Sequence, residues 1–129
     1  MRIQPDRERA KSLIKMARLR HGKINLFDEE SEVSLIIEIY YEVAKELVTA
    51  ILFIDGYKTL SHMDLISYLK TNYKDDFDTF EIELLDQLRK NRNKIVYYGM
   101  FMESSYLKMN RKTIITIISK LFDLCERKM

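Results

Sequence analysis

Apolar positions along the chain recur at intervals of three and four residues, the period of a helix with one buried face. Ala10, Leu13, Ile14, Ala17 and Ile24 predict a first helix through about residue 20 or beyond, with Pro5 suited to its first turn. Val33, Ile36, Ile37, Tyr40, Ala44, Leu47, Val48, Ile51 and Leu52 predict a long second helix. A fourth is carried by Leu84, Leu85, Leu88, Ile95 and Val96, and a fifth by Leu107, Ile114, Ile117, Ile118, Leu121, Leu124 and Cys125. Punctuation falls between these stripes. His21-Gly22 reads as a stop, because glycine can take the left-handed conformation that ends a helix, which makes His21 a cap or surface residue. Asp28-Glu29-Glu30-Ser31-Glu32 puts negative charge where the second helix begins, and Asp55-Gly56 ends it. Ser61-His62-Met63-Asp64 starts a short third helix through about Leu69, with His62 as a solvated or capping side chain of its first turn. Asp78 with Glu81 opens the fourth helix, Gly99 breaks it, and Ser104 or Ser105 caps the fifth. Short connections leave consecutive helices adjacent, so the expected fold is all-α: a five-helix antiparallel bundle with long helices two, four and five, as one domain over residues 1–129.

Composition agrees with helices and narrows the chemistry. Three Gly and one Pro supply too few corners for a sandwich or barrel. The single Cys125 excludes an internal disulfide and a cysteine-rich zinc site, which suits a reducing, cytoplasmic setting. The longest strongly apolar run, Leu47 to Ile54, is eight residues, far from the ~20 that cross a bilayer. No secretory signal follows the basic N-terminus, so Met1 reads as the natural start. His62 has no second His or Cys nearby, so no metal site is expected. No phosphate loop, serine elbow or paired-histidine zinc motif is present, and no cofactor is implied.

The net charge of +2 conceals blocks. Residues 1–25 carry +6, residues 26–55 carry −7, residues 56–88 carry −4 and residues 89–112 carry +6. Basic and acidic faces can pair across a bundle, or the segment from Arg89 to Lys94 can face a polyanion.

That segment, Leu88-Arg89-Lys90-Asn91-Arg92-Asn93-Lys94-Ile95-Val96-Tyr97-Tyr98-Gly99, is the informative one. At about 100° per residue Arg92 falls between Leu88 and Val96 on the apolar arc, while Asn93 and Lys94 point elsewhere. A guanidinium on that arc needs a carboxylate, carbonyls or an anionic ligand for its five donors. Glu38 or Glu42 of the second helix could supply the carboxylate, and such a pair could do no more than lock the packing. Tyr97, Tyr98, Phe101 and Tyr106 beside Arg89, Lys90, Arg92 and Lys94 suit a base-stacking platform with basic flanks. Eight Tyr and seven Met can equally furnish core and dimer surface.

Arg92-Asn93 and the helix order around them resemble the HEPN family, small helical domains whose motif is an Arg, four to six residues, then His, often with Asn after the Arg. Arg92-Asn93 matches. Tyr97 stands where the histidine would fall after four intervening residues, and Tyr98-Gly99 follow. The resemblance spans most of residues 30–125: a long acidic second helix ending at Gly56-Tyr57, a short helix, the motif helix, and a long final helix.

The resemblance implies a homodimer that joins two motif helices, often a metal-independent endoribonuclease and toxin encoded beside a minimal nucleotidyltransferase. In that chemistry the RNA 2′-hydroxyl attacks the adjacent phosphate, His moves the proton and Arg stabilises the developing charge. Arg92 fits its role. Tyr97 departs from the pattern: a phenol of pKa about 10 stays protonated at neutral pH, whereas imidazole both accepts and donates. Binding therefore survives the exchange better than cleavage. The implied catalytic positions are Arg92 and Tyr97, and the implied RNA or nucleotide contacts are Arg89, Arg92, Asn93, Lys94, Tyr97 and Tyr98. An ideal helix sets Arg92 and Tyr97 about 140° apart, flanking a groove, so a two-fold axis would bring one copy's Arg92 near the other's Tyr97. Three readings stay open. The first is an RNA- or nucleotide-binding module of a prokaryotic toxin–antitoxin or defence system, with weakened or lost cleavage. The second is a non-catalytic partner of a minimal nucleotidyltransferase, in which Tyr97 or Tyr98 could accept a nucleotide. The third is an active ribonuclease using Tyr97, or a histidine reaching in from another segment.

Overall fold

The computed structural model describes residues 2–58 and 61–129; Met1, read above as the chain start, lies outside them, as do Thr59 and Leu60. The periodic segments fold into α1 Arg7–Gly22, α2 Val33–Asp55, α3 His62–Asn72, α4 Thr79–Tyr98 and α5 Ser104–Lys128, with one 3₁₀ turn at Ile24–Leu26. Among the described residues the one β feature is an isolated bridge between Arg2 and Tyr57. The all-α five-helix bundle is the observed architecture, and no helix among these residues is long and apolar enough to cross a membrane.

α2 is the central element because it is apolar on most of its circumference, and it packs against α1, α3, α4 and α5. Ile36, Ile37, Leu47 and Ile51 are fully buried there and meet Leu88 of α4 and Ile114, Ile118 and Leu121 of α5 in one continuous core. Gly56 ends α2 with φ 86°, where an added Cβ would come within 3.0 Å of the Ile3 carbonyl oxygen. The N-terminal strand of chain is strapped there through Ile3 N–H donating to Gly56 O at 2.8 Å and Asp6 N–H to Phe53 O at 2.9 Å. Asp55, one residue earlier, accepts the hydroxyls of Tyr68 and Tyr73, each at 2.6 Å, and pairs with Lys128 Nζ at 2.6 Å. Three helices and the connector after α3 converge on this one carboxylate.

Several local expectations are corrected. Pro5 stands outside α1, whose cap is the Asp6 side chain accepting from Arg9 N–H. Gly22 is the last residue of α1 and not left-handed; among the described residues only Gly56 and Gly99 have positive φ. His21 does lie at the C-terminal cap of α1, half-buried, with its ring 6.5 and 5.9 Å from those of Tyr40 and Phe122, and burial lowers its pKa. The acidic run precedes the first turn of α2. Asp28 there accepts from the N–H groups of Glu30 and Ser31, while Glu29 and Glu30 pair with Arg111 and Lys108 of α5. Glu103, not Ser104 or Ser105, holds the cap position of α5, and it makes no side-chain cap bond. The Ser61 cap of α3 and the reciprocal Asp78–Glu81 capping box of α4 form as the sequence predicts.

Candidate functional site

α4 carries its buried stripe on Ile82, Leu84, Leu85 and Leu88, then on Asn91, and the half-buried Ile95 continues it against the core. Val96, expected in the stripe, is 42% exposed, because the helix has run past the body of the bundle. Arg92 lies at this border. Its Nη2 donates to Glu42 Oε1 of α2 at 3.0 Å, and Nη1 donates to Asn93 Oδ1 at 3.3 Å. Nε is buried with no hydrogen-bond partner among the described residues. Of the two carboxylates the sequence offers, Glu42 is the partner. The Arg92 and Glu42 side chains are only 13% and 18% exposed.

Glu42 is shared. Its Oε2 pairs with Lys45 Nζ at 3.1 Å while Oε1 holds Arg92. Burial opposes its ionisation, but Lys45 and Arg92 outweigh this and hold the carboxyl below its ordinary pKa. The guanidinium also rests against two rings, 5.7 Å from the centre of Tyr41 and 5.8 Å from that of Tyr97. Arg92 and Tyr97 thus meet within one chain, and no two-fold axis is needed to join them. The long arginine side chain spans an angular gap that an ideal projection of Cβ positions leaves open.

The remaining predicted contacts divide. Arg89, 13% exposed, pairs with Asp86 at 2.9 Å, and the exposed Lys90 reaches the same carboxylate at 3.3 Å. Lys94 is exposed and makes no ion pair among the described residues. Tyr97, Tyr98 and Phe101 are 67%, 78% and 88% exposed, with Met100 also exposed, where α4 ends at Gly99. Tyr106 leaves the platform: it packs against the core and donates its hydroxyl to Gln87 Oε1 at 3.1 Å.

His62 is the residue that sequence reasoning undervalued. It opens α3 behind the Ser61 cap, yet its ring packs 5.7 Å from Tyr41, whose other neighbour is the Arg92 guanidinium. It lines a cleft of about 380 Å³ with Arg20, Glu42, Lys45, Glu46 and Ser61. Burial, Lys45, Arg92 and Arg89 lower its pKa against the opposing pull of Glu42, which favours the neutral imidazole. The Tyr41 phenol is pushed up to about 12 by burial and stays protonated. Only the long-range packing of α3 on α2 brings His62 here; its own helical register carries no sign of it. Among the described residues no group of His, Cys, Asp and Glu is arranged to hold a metal ion. Comparisons with family models, with curated proteins and with solved structures find no match.

Proposed function

We propose that this chain is a HEPN-like module that binds single-stranded RNA, with Arg92 and Lys94 taking phosphate and the rings of Tyr97, Tyr98 and Phe101 stacking bases. The observation that carries the reading is the exposure of three aromatic rings in the same segment as the exposed Lys94, which makes no ion pair among the described residues. Exposed rings on a monomer cost solvation free energy unless something covers them, and bases are flat, stackable and accompanied by phosphate. The same rings would serve a homodimer seam or a protein partner such as a minimal nucleotidyltransferase. Salt separates these outcomes. RNA affinity is expected to fall steeply between low and physiological salt, and Tyr97→Ala with Tyr98→Ala should weaken it by about thirtyfold or more at either salt, since each stacked base contributes ~1–3 kcal/mol. Fluorescence anisotropy with a labelled oligouridine measures both. Absence of binding at low salt would remove the reading in favour of a protein partner.

A second reading, metal-independent cleavage, is favoured by the placement of His62 in the Arg92 cluster. Slow cutting of RNA in the presence of chelator, lost in His62→Gln with binding retained, is the result it requires. Detection of 2′,3′-cyclic phosphate ends identifies the chemistry, and cutting that persists in His62→Gln would exclude this histidine.

A further inference from the structure

The ion pair that satisfies Arg92 in the free protein also occupies the donors a phosphate would need. Glu42 presents one oxygen to Arg92 and the other to Lys45, so it can release the first cation and remain paired with the second. Arg92 is held by that one charged bond, a side-chain hydrogen bond with Tyr97, a 3.3 Å bond to its neighbour Asn93 and two aromatic faces, with Nε unsatisfied. We infer that Glu42 is a built-in competitor for the Arg92 guanidinium, a latch that a phosphodiester displaces when RNA binds. The inference rests on the RNA-binding reading and adds its regulation: the apparent affinity is the intrinsic affinity multiplied by the fraction of molecules in which Arg92 is released. Selectivity follows as well. A lone weak anion does not displace a carboxylate that is already in place, whereas a strand that also stacks on Tyr97 and Tyr98 gains enough to do so.

The test is oligouridine affinity at low salt for the wild-type chain and for Glu42→Gln, Glu38→Gln, Arg92→Ala and the Arg92→Ala/Glu42→Gln pair. Glu42→Gln keeps the size and one acceptor but removes the charge, and it should bind about tenfold more tightly. Glu38→Gln removes a carboxylate one turn earlier on the same helix and should change affinity less than twofold. In the Arg92→Ala background the gain from Glu42→Gln should vanish, because the latch then has nothing to hold. Should Glu42→Gln fail to fold, Glu42→Asp withdraws the carboxylate by one methylene and should move affinity the same way by a smaller factor. Wild-type binding with no gain in these variants, an equal gain in Glu38→Gln, or a gain that survives without Arg92 overturns the latch while leaving RNA binding intact. Binding by neither wild type nor Glu42→Gln overturns the RNA reading, and the latch with it.

Discussion

Asp55→Ala is expected to lower stability by about 3 kcal/mol, enough to shift the thermal midpoint by roughly 10 °C in a domain of this size. The size of the effect comes from convergence. Removing the carboxylate strands the Tyr68 and Tyr73 hydroxyls at once and leaves the Lys128 ammonium against the Tyr73 ring, 5.4 Å from its centre, without a counter-charge. Both phenols donate to Oδ2 and Lys128 faces Oδ1, so Asp55→Asn can keep the oxygen that accepts both hydroxyls but loses the charge opposite Lys128, and it should cost about half as much. The pH dependence has a definite sign. Burial opposes ionisation of Asp55, but Lys128 and the two tyrosines outweigh it and hold the carboxyl below its ordinary value. A group depressed in the folded state stabilises fully above its unfolded pKa, near 3.9, and the contribution is lost as pH falls through the lower folded value. Urea unfolding followed by circular dichroism should therefore show the gap between wild type and Asp55→Asn to be constant from pH 5 to 7 and to close in stronger acid. A gap of the same size at every pH would mean that the carboxylate is not the species that matters.

The same contrast explains what could be read from the chain and what could not. Helix order, the Gly56 and Gly99 stops and the Asp78–Glu81 box follow from physics local to a few residues, and they are in the structure as the pattern predicts. Gly22 misleads because freedom to adopt positive φ does not oblige a glycine to use it; the chain leaves α1 through a 3₁₀ turn instead. Val96 misleads because periodicity reports which face is apolar and not how far the partner helix extends. The site is half legible. Arg92 stands out as a cation on an apolar arc, and its need for a carboxylate is arithmetic on donors. That Lys45 shares Glu42 and that Asp86 holds Arg89 are i,i+3 pairs within one helix, whereas the choice of Glu42 for Arg92 and the rest of His62 on Tyr41 depend on how α2, α3 and α4 pack. Those last two contacts join residues more than a dozen positions apart, where no short-range pattern reaches.

Arg92→Ala is expected to do the opposite of Asp55→Ala, costing little stability and most of the RNA affinity. Breaking a buried ion pair by deleting one member is usually severe, because the other charge is left uncompensated. Here Glu42 retains Lys45, and the deletion also removes a buried Nε that has no partner. The net loss of stability should be no more than about 1 kcal/mol, chiefly lost packing against Tyr41 and Tyr97. Binding has no such compensation. A charge-assisted contact to phosphate contributes about 2 kcal/mol, so affinity for oligouridine should fall roughly thirty-fold, and the salt dependence should flatten by about one phosphate contact. Arg92→Lys keeps the charge but gives up the fork and most of the ring contact, and it should recover only part of the affinity. Anisotropy titrations at several salt concentrations, run beside urea unfolding of the same preparations, separate the two effects. An Arg92→Ala chain that binds RNA like the wild type would reduce Arg92 to a strut between α2 and α4.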